Sequence, residues 1–396
     1  MMKPKSNNLL NQIRILEVGK TIAPSYCAVT LAKLGASVIK MAHQSLTEDK
    51  SAQKAIEDIA TTGIDPINLA LNHSKKSVTV DFNTSKGLGI LRKFISETDL
   101  LITDSSLDEY KISIKEIMTQ NPSLVIVTIF PFRPGHKYGR YATSDLSLFH
   151  MSGNAHGMLG PVDNPSEEPP IRAGGQQTEM VSGMTAATAS MIGMYRKFRT
   201  GSGCHIIVSK FESMVTMAIS GLANQAFGKT APSRRVADQK ESSIGGMVSA
   251  IGGVLPCNDG FVAISPREDS QWERWLDLMG RPDWSADQRF VTRNGRQQNV
   301  DALWELLSQW SRTRSKFDIA RSGQKARIPC FPVNTLSDLM SDPHLESRDF
   351  FVSIEHPDTG SLRYPGNPFK INGQSPDFVL ESAPHQGQHN EEFNIE

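Results

Sequence analysis

Between residues 13 and 130, short apolar runs alternate with amphipathic stretches, and that alternation leaves few architectures open. Ile13-Arg14-Ile15-Leu16-Glu17-Val18 reads as a strand that Gly19 breaks. Ser25 to Leu34 carries apolar residues at helical spacing and stops at Gly35, the residue type that caps helix C-termini. Val38-Ile39-Lys40-Met41 is a second strand, and strand-helix-strand at this spacing is a βαβ unit with parallel pairing. The pattern repeats through a strand at Ser77–Asp81, a helix at Gly87–Ser96, a strand at Leu100–Thr103, a helix near Ile112–Met118 and a strand at Leu124–Phe130. The fold class expected is α/β, with a Rossmann-like doubly wound large domain. No GxGxxG follows the first strand and no GxxxxGK[ST] occurs, so neither nucleotide motif accompanies the fold.

A helix from about Met180 to Arg196 is rich in Gly, Ala and Ser, which suits close backbone packing. His205–Ser209 reads as a strand and Phe211–Phe227 as one long helix. Composition then changes. Leu255–Ile264 resembles a hairpin turning at Asn258-Asp259-Gly260, and helical segments carrying Trp272, Trp275 and Trp310 follow. The division expected is 10–227 for the first part of the large domain, 228–327 for a smaller α+β domain, and 328–396 for a return segment. The tryptophans suit core packing.

The 396 residues carry 42 Lys plus Arg and 42 Asp plus Glu, so no net field favours nucleic acid or an anionic membrane. Cys27, Cys204, Cys257 and Cys330 are scattered without CxxC spacing, which points away from a metal site or disulfide framework and towards a reducing cytoplasm. Met1–Asn11 lacks the apolar core of a signal peptide, and no apolar run reaches membrane-spanning length.

The segment Pro169-Pro170-Ile171-Arg172-Ala173-Gly174-Gly175-Gln176-Gln177-Thr178-Glu179 is a loop that runs into the small-residue helix. A carboxylate at that junction faces the positive end of the helix dipole, which favours its anionic form. A fixed, ionised carboxylate is a usable nucleophile. Two readings of Glu179 stay open: a nucleophile, or a first-turn glutamate that complements the dipole.

The spacing of Pro170, Gly174, the acid at 179 and Gly183 resembles the signature of class III CoA transferases of the CaiB/BaiF type, the family of formyl-CoA and carnitine CoA transferases. Leu34–Lys40 resembles the family's LGA-x-VIK strand. Asn72, Lys75, Lys76, Ser77 and Asp81 resemble its N-x-x-K-x-S-x-x-x-D stretch. Thr200–Gly203, Ser209 with Glu212, Ile328-Pro329, Asp342–Leu345, His356-Pro357 and Pro365-Gly366 follow in family order, so the resemblance spans nearly the whole chain. It implies two chains interlocked as rings. It also implies transfer of CoA from an acyl-CoA to an organic acid through a mixed anhydride and an enzyme-CoA thioester, with no metal. The family's acid is Asp; here it is Glu179, and the extra methylene displaces the carboxylate by about 1 Å, which can cost roughly a hundredfold in rate.

Other positions depart from the family pattern. Ala42 and His43 stand where an acid and a basic residue are expected, and Asp104-Ser105-Ser106-Leu107-Asp108 places two carboxylates where a pyrophosphate would be repelled. Lys75, Lys137, Arg140 and Tyr138 are candidates for CoA contact, against the commoner alternative of solvated surface. Gly245 and Gly246, with Gly252-Gly253, are candidate lid residues or a flexible connector. The leading reading is a subunit of a class III CoA transferase, a degenerate chain paired with an Asp-bearing paralogue, or one half of a homodimer. Three others stand beside it: a self-sufficient transferase using Glu179, a non-enzymatic scaffold or regulatory subunit, and a 2-methylacyl-CoA racemase-like enzyme.

Overall fold

β1 (Arg14–Val18), β2 (Ser37–His43), β3 (Lys76–Val80), β4 (Leu100–Thr103), β5 (Val125–Phe130) and β6 (Cys204–Ser209) pair in parallel, in the spatial order β3-β2-β1-β4-β5-β6. The computed structural model describes residues 9–44, 65–158, 161–162, 164, 167–229, 235–236, 253–266, 268–373 and 380–395. The central strands are buried on both faces, which is why they read as continuous apolar runs. One face is covered by α1 (Ile22–Ala32) and the long α6 (Gln177–Thr200), whose Ala23, Ala28, Ala186 and Ala187 pack on Ile15, Ile102 and Val127. The other is covered by α3 (Ser85–Ser96) and α4 (Ile114–Gln120), through Leu91, Phe94 and Ile117 against Leu16, Leu101 and Ile126. This is the doubly wound arrangement expected.

Small residues set the approach of α1 and α6. A Cβ at Gly183 would lie 2.7 Å from the Ala23 carbonyl oxygen, so only glycine admits this crossing. The C-terminal segment covers the outer edge of β3: Asn390 Oδ1 accepts from Thr79 N at 2.9 Å, and His389 N donates to Ser77 O at 3.0 Å. An edge strand covered in this way offers no template for foreign pairing.

Several elements differ from the expected ones. α1 begins at Ile22 rather than Ser25, because its first amides find acceptors on distant residues described below. The stretch expected as one helix is two, α7 (Lys210–Met217) and α8 (Ile219–Ala226), separated at Ala218. The β-branched pair Val215-Thr216 and the nearby Gly221 weaken helical continuity there.

The chain divides into two compact units: Met1–Met158 with Pro170–Ala231 and Ser347–Glu396, and Leu159–Pro169 with Pro232–Glu346. Residues 328–346 thus belong to the smaller unit rather than to the return segment. The physical reason is pairing, since β9 (Cys330–Pro332) hydrogen-bonds to β8 (Gly260–Ile264), which also pairs with β7 (Gly253–Cys257). Trp272, Trp275 and Phe290 fill that unit's core with Leu303 and Ile319.

Candidate active site

In open α/β sheets, ligands settle beyond the carboxyl ends of the strands where the strand order reverses, here between β1 and β4. The loop 19–21 leaves β1 at this point and Asp104 follows β4. Asp104 Oδ2 accepts from Lys20 N at 3.0 Å and Thr21 N at 2.7 Å. A Cβ at Gly19 would meet Pro24 Cβ at 2.6 Å, so the turn requires glycine. The chain's own carboxylate therefore occupies the amide cradle that a Rossmann loop offers to a pyrophosphate. Asp104 is spent locally, and Asp108 is too, accepting from Ser106 Oγ at 2.9 Å.

Glu179 meets the same helix end. It lies in the first turn of α6, its Oε2 accepts from Ala23 N at 2.9 Å, and its Oε1 accepts from Lys210 Nζ at 2.5 Å. Lys210 Nζ also donates to Thr21 Oγ1 at 3.1 Å. The Glu179 and Lys210 side chains are only 12% and 5% exposed. The start of α1 thus presents an amide to one carboxylate oxygen while Lys210 holds the other. Glu179 borders a cavity of about 460 Å³ together with Lys20, Lys40, Asn72, Asp145 and Gln176.

Asp145 fixes where α6 begins. Gln176, the formal N-cap, makes no side-chain bond. Asp145 Oδ1 instead accepts from Thr178 N at 2.9 Å and Glu179 N at 3.3 Å, while Oδ2 takes Arg172 Nη1 at 3.1 Å. Asp145 opens a helix of its own, but Ser144 caps that helix in a capping box with Ser147, which leaves Asp145 for α6.

Lys75, a candidate phosphate ligand from sequence, is enclosed. Its Nζ donates to Glu17 Oε2 at 2.7 Å, Ser25 O at 3.0 Å and Asn72 Oδ1 at 3.2 Å. No donor is left to face a ligand. Lys40 stands 3.2 Å from Glu17 Oε1 and donates to Ser25 Oγ at 2.8 Å. Burial pushes the Glu17 carboxyl up, but the charges of Lys40 and Lys75 outweigh it and hold the group at about 2. Burial lowers Lys75 to about 8 against the opposing pull of Glu17.

Lys137, Tyr138 and Arg140 lie on a short turn after β5, and Lys137 and Arg140 line a hollow of about 790 Å³ with Phe132, Pro134 and Gly135. Lys137 Nζ sits 5.3 Å from the Tyr138 ring centroid, and that ring packs on Phe132, His136 and Tyr141. The two cations are exposed, in keeping with either contact to a ligand or solvation. His150 turns its ring nitrogens to Leu146 O at 2.9 Å and Pro170 O at 3.1 Å, tying down the loop before α6. Gly245, Gly246 and Gly252 lie outside the described residues, and Gly253 opens β7. Sequence reasoning does not single out Lys210. Its one local signal is a lysine at the first position of a helix, where a cation opposes the dipole.

The sequence profile of CoA-transferase family III matches residues 10–390, and the chain belongs to that family. It is 23% identical to the formyl-CoA:oxalate CoA-transferase of Rhodopseudomonas palustris strain BisA53, over 97% of this chain and 92% of that protein. It is 22% identical to the succinyl-CoA–D-citramalate CoA-transferase of Chloroflexus aurantiacus, with the same coverage of 97% and 92%. Among solved structures, a CaiB/BaiF family protein from Brucella suis has a TM-score of 0.83 at 22% identity, covering 98% of this chain and 99% of that one. A hypothetical protein from Mycobacterium tuberculosis gives 0.75 at 20%, covering 97% and 98%. These likenesses concern the fold. No helix among the described residues is long and apolar enough to cross a membrane.

Proposed function

We propose that this chain moves CoA between an acyl-CoA and an organic acid, with the Glu179 carboxylate as the acyl acceptor. The observation that carries the reading is the setting of that carboxylate, held by the Ala23 N–H and Lys210 beside a cavity at the carboxyl ends of the strands. Glu179 attacks the thioester carbonyl carbon, the C–S bond breaks, and CoA leaves as thiolate. The thiolate then attacks the Glu179 carbonyl carbon, and the first acid departs from the anhydride. An incoming acid runs the two steps in reverse.

Lys20 borders the cavity and suits an acid with a second negative group. Oxalate and citramalate, named for the two relatives, both carry two carboxylates. Lys137 and Arg140 line the second hollow and suit the phosphates of CoA as cations. The acting form is a dimer of like chains in the cytoplasm. The apolar Ile192, Tyr195 and Phe198 of α6 and Ile219 of α8 are exposed, a pattern that marks an interaction face, and all four cysteines are free.

The test is steady-state transfer from succinyl-CoA to a panel of acids by the wild type and Glu179→Gln. The amide keeps the shape and removes the nucleophile, so activity should fall roughly a thousandfold or more. Transfer by the variant at the wild-type rate would overturn the reading.

A further inference from the structure

Lys210 breaks two local rules at once. It is the first residue of α7, where a cation opposes the helix dipole, and it is 4% exposed, where an ammonium loses its hydration. Ser209 already caps that helix by accepting from Glu212 N at 3.2 Å, so α7 gains nothing at its start from a lysine. The lysine's polar contacts are Glu179 Oε1 and Thr21 Oγ1. A buried cation placed against local preference, with a reactive carboxylate as its counter-ion, marks a functional position.

We propose that Lys210 is the charge partner of Glu179 through the reaction, an inference that rests on the reading of Glu179 as acyl acceptor. In the resting site its ammonium fixes one carboxylate oxygen while the Ala23 N–H fixes the other. When Glu179 attacks a thioester, a C–O bond forms, the C–S bond breaks, and the negative charge passes from Glu179 to the CoA sulfur. The Lys210 ammonium then has a neutral ester-like oxygen beside it, and its charge is released towards the departing thiolate. In the second step the thiolate adds to the Glu179 carbonyl carbon, the electron pair moves onto the oxygen that was not acylated, and its return breaks the C–O bond to the first acid, which leaves as carboxylate. One of the two donors faces that oxygen, whichever oxygen made the attack. Donors placed on a developing oxyanion are worth roughly a hundred- to a thousandfold in rate.

The geometry also fits the longer acid. Shortening the arm to aspartate would withdraw the oxygens by about 1 Å from both donors. Lys210 and Glu179 therefore form a matched pair.

The experiment measures the rate of covalent adduct formation in single turnover with succinyl-CoA, beside equilibrium binding of CoA, for the full-length chain and three variants. Lys210→Gln keeps a hydrogen-bond donor and loses the charge. It should form adduct roughly a hundredfold more slowly with CoA binding changed less than twofold, and Lys210→Arg should recover at least a tenth of the wild-type rate. Glu179→Asp should also be slower than wild type, and it tests the pairing even if the Lys210 variants do not fold. A Lys210→Gln rate within twofold of wild type, or a Glu179→Asp rate above it, would overturn the inference while leaving Glu179 as acceptor. A wild type that forms no adduct, with Glu179→Gln equally inert, would overturn the underlying reading and this inference with it.

Discussion

Glu17 lies near the end of a central strand out of contact with water, and its carboxylate survives there because Lys75 and Lys40 both face it. Removing one partner of a buried pair leaves an uncompensated charge and commonly costs 3–5 kcal/mol. Lys75→Met should cost about 3 kcal/mol, the low end, since Lys40 remains; urea unfolding measures it. The network also sets an acid limb. The folded value of Glu17, about 2, lies below its ordinary 4.5, so the unfolded chain binds a proton first as pH falls. The stabilisation is full above pH 4.5 and is lost between 4.5 and 2, and Glu17→Gln should flatten the dependence of the urea midpoint on pH in that window. Glu179 was legible from sequence as an acid at a loop-helix junction. Lys210 was not, because its partner stands 31 residues away in the chain and no local pattern joins the two. Lys75 was misread for the same reason: a lysine before a strand looks solvated until Glu17, 58 residues distant, is seen beside it.

At the scale of elements, the site depends on how α1 and α6 meet. Gly183 sets their spacing, and Ala23, which it touches, supplies the amide that holds Glu179. Gly183→Ala should force the helices apart and cost about 1–3 kcal/mol, the range for overpacking. It should also slow adduct formation at Glu179, which a calorimetric scan and a single-turnover assay would report together. Asp145→Ala removes the acceptor for two α6 amides and should cost about 1 kcal/mol, as loss of a helix cap does. Strands and helices of the sheet were readable because their periodicity is local. The starts of α1 and α6 were not, because Asp104, Glu179 and Asp145 cap them from elsewhere in the chain.

At the scale of the molecule, the alternation of strands and helices in the first 130 residues was enough to read the parallel sheet, and the family motifs spread along the chain carry the same fold. The boundary of the smaller unit was misplaced because β9 looks like part of a proline-rich tail until its pairing with β8 is seen. On the proposed dimer, with the exposed Phe198 and Tyr195 at its interface, Phe198→Glu should raise the monomer fraction in sedimentation velocity. The most direct test of the central claim is the intact mass of the purified wild-type chain after incubation with acyl-CoA, without any other protein. The account predicts a CoA adduct that hydroxylamine removes and that maps to Glu179. A folded chain that acquires no adduct would contradict it and place the acyl acceptor on another polypeptide.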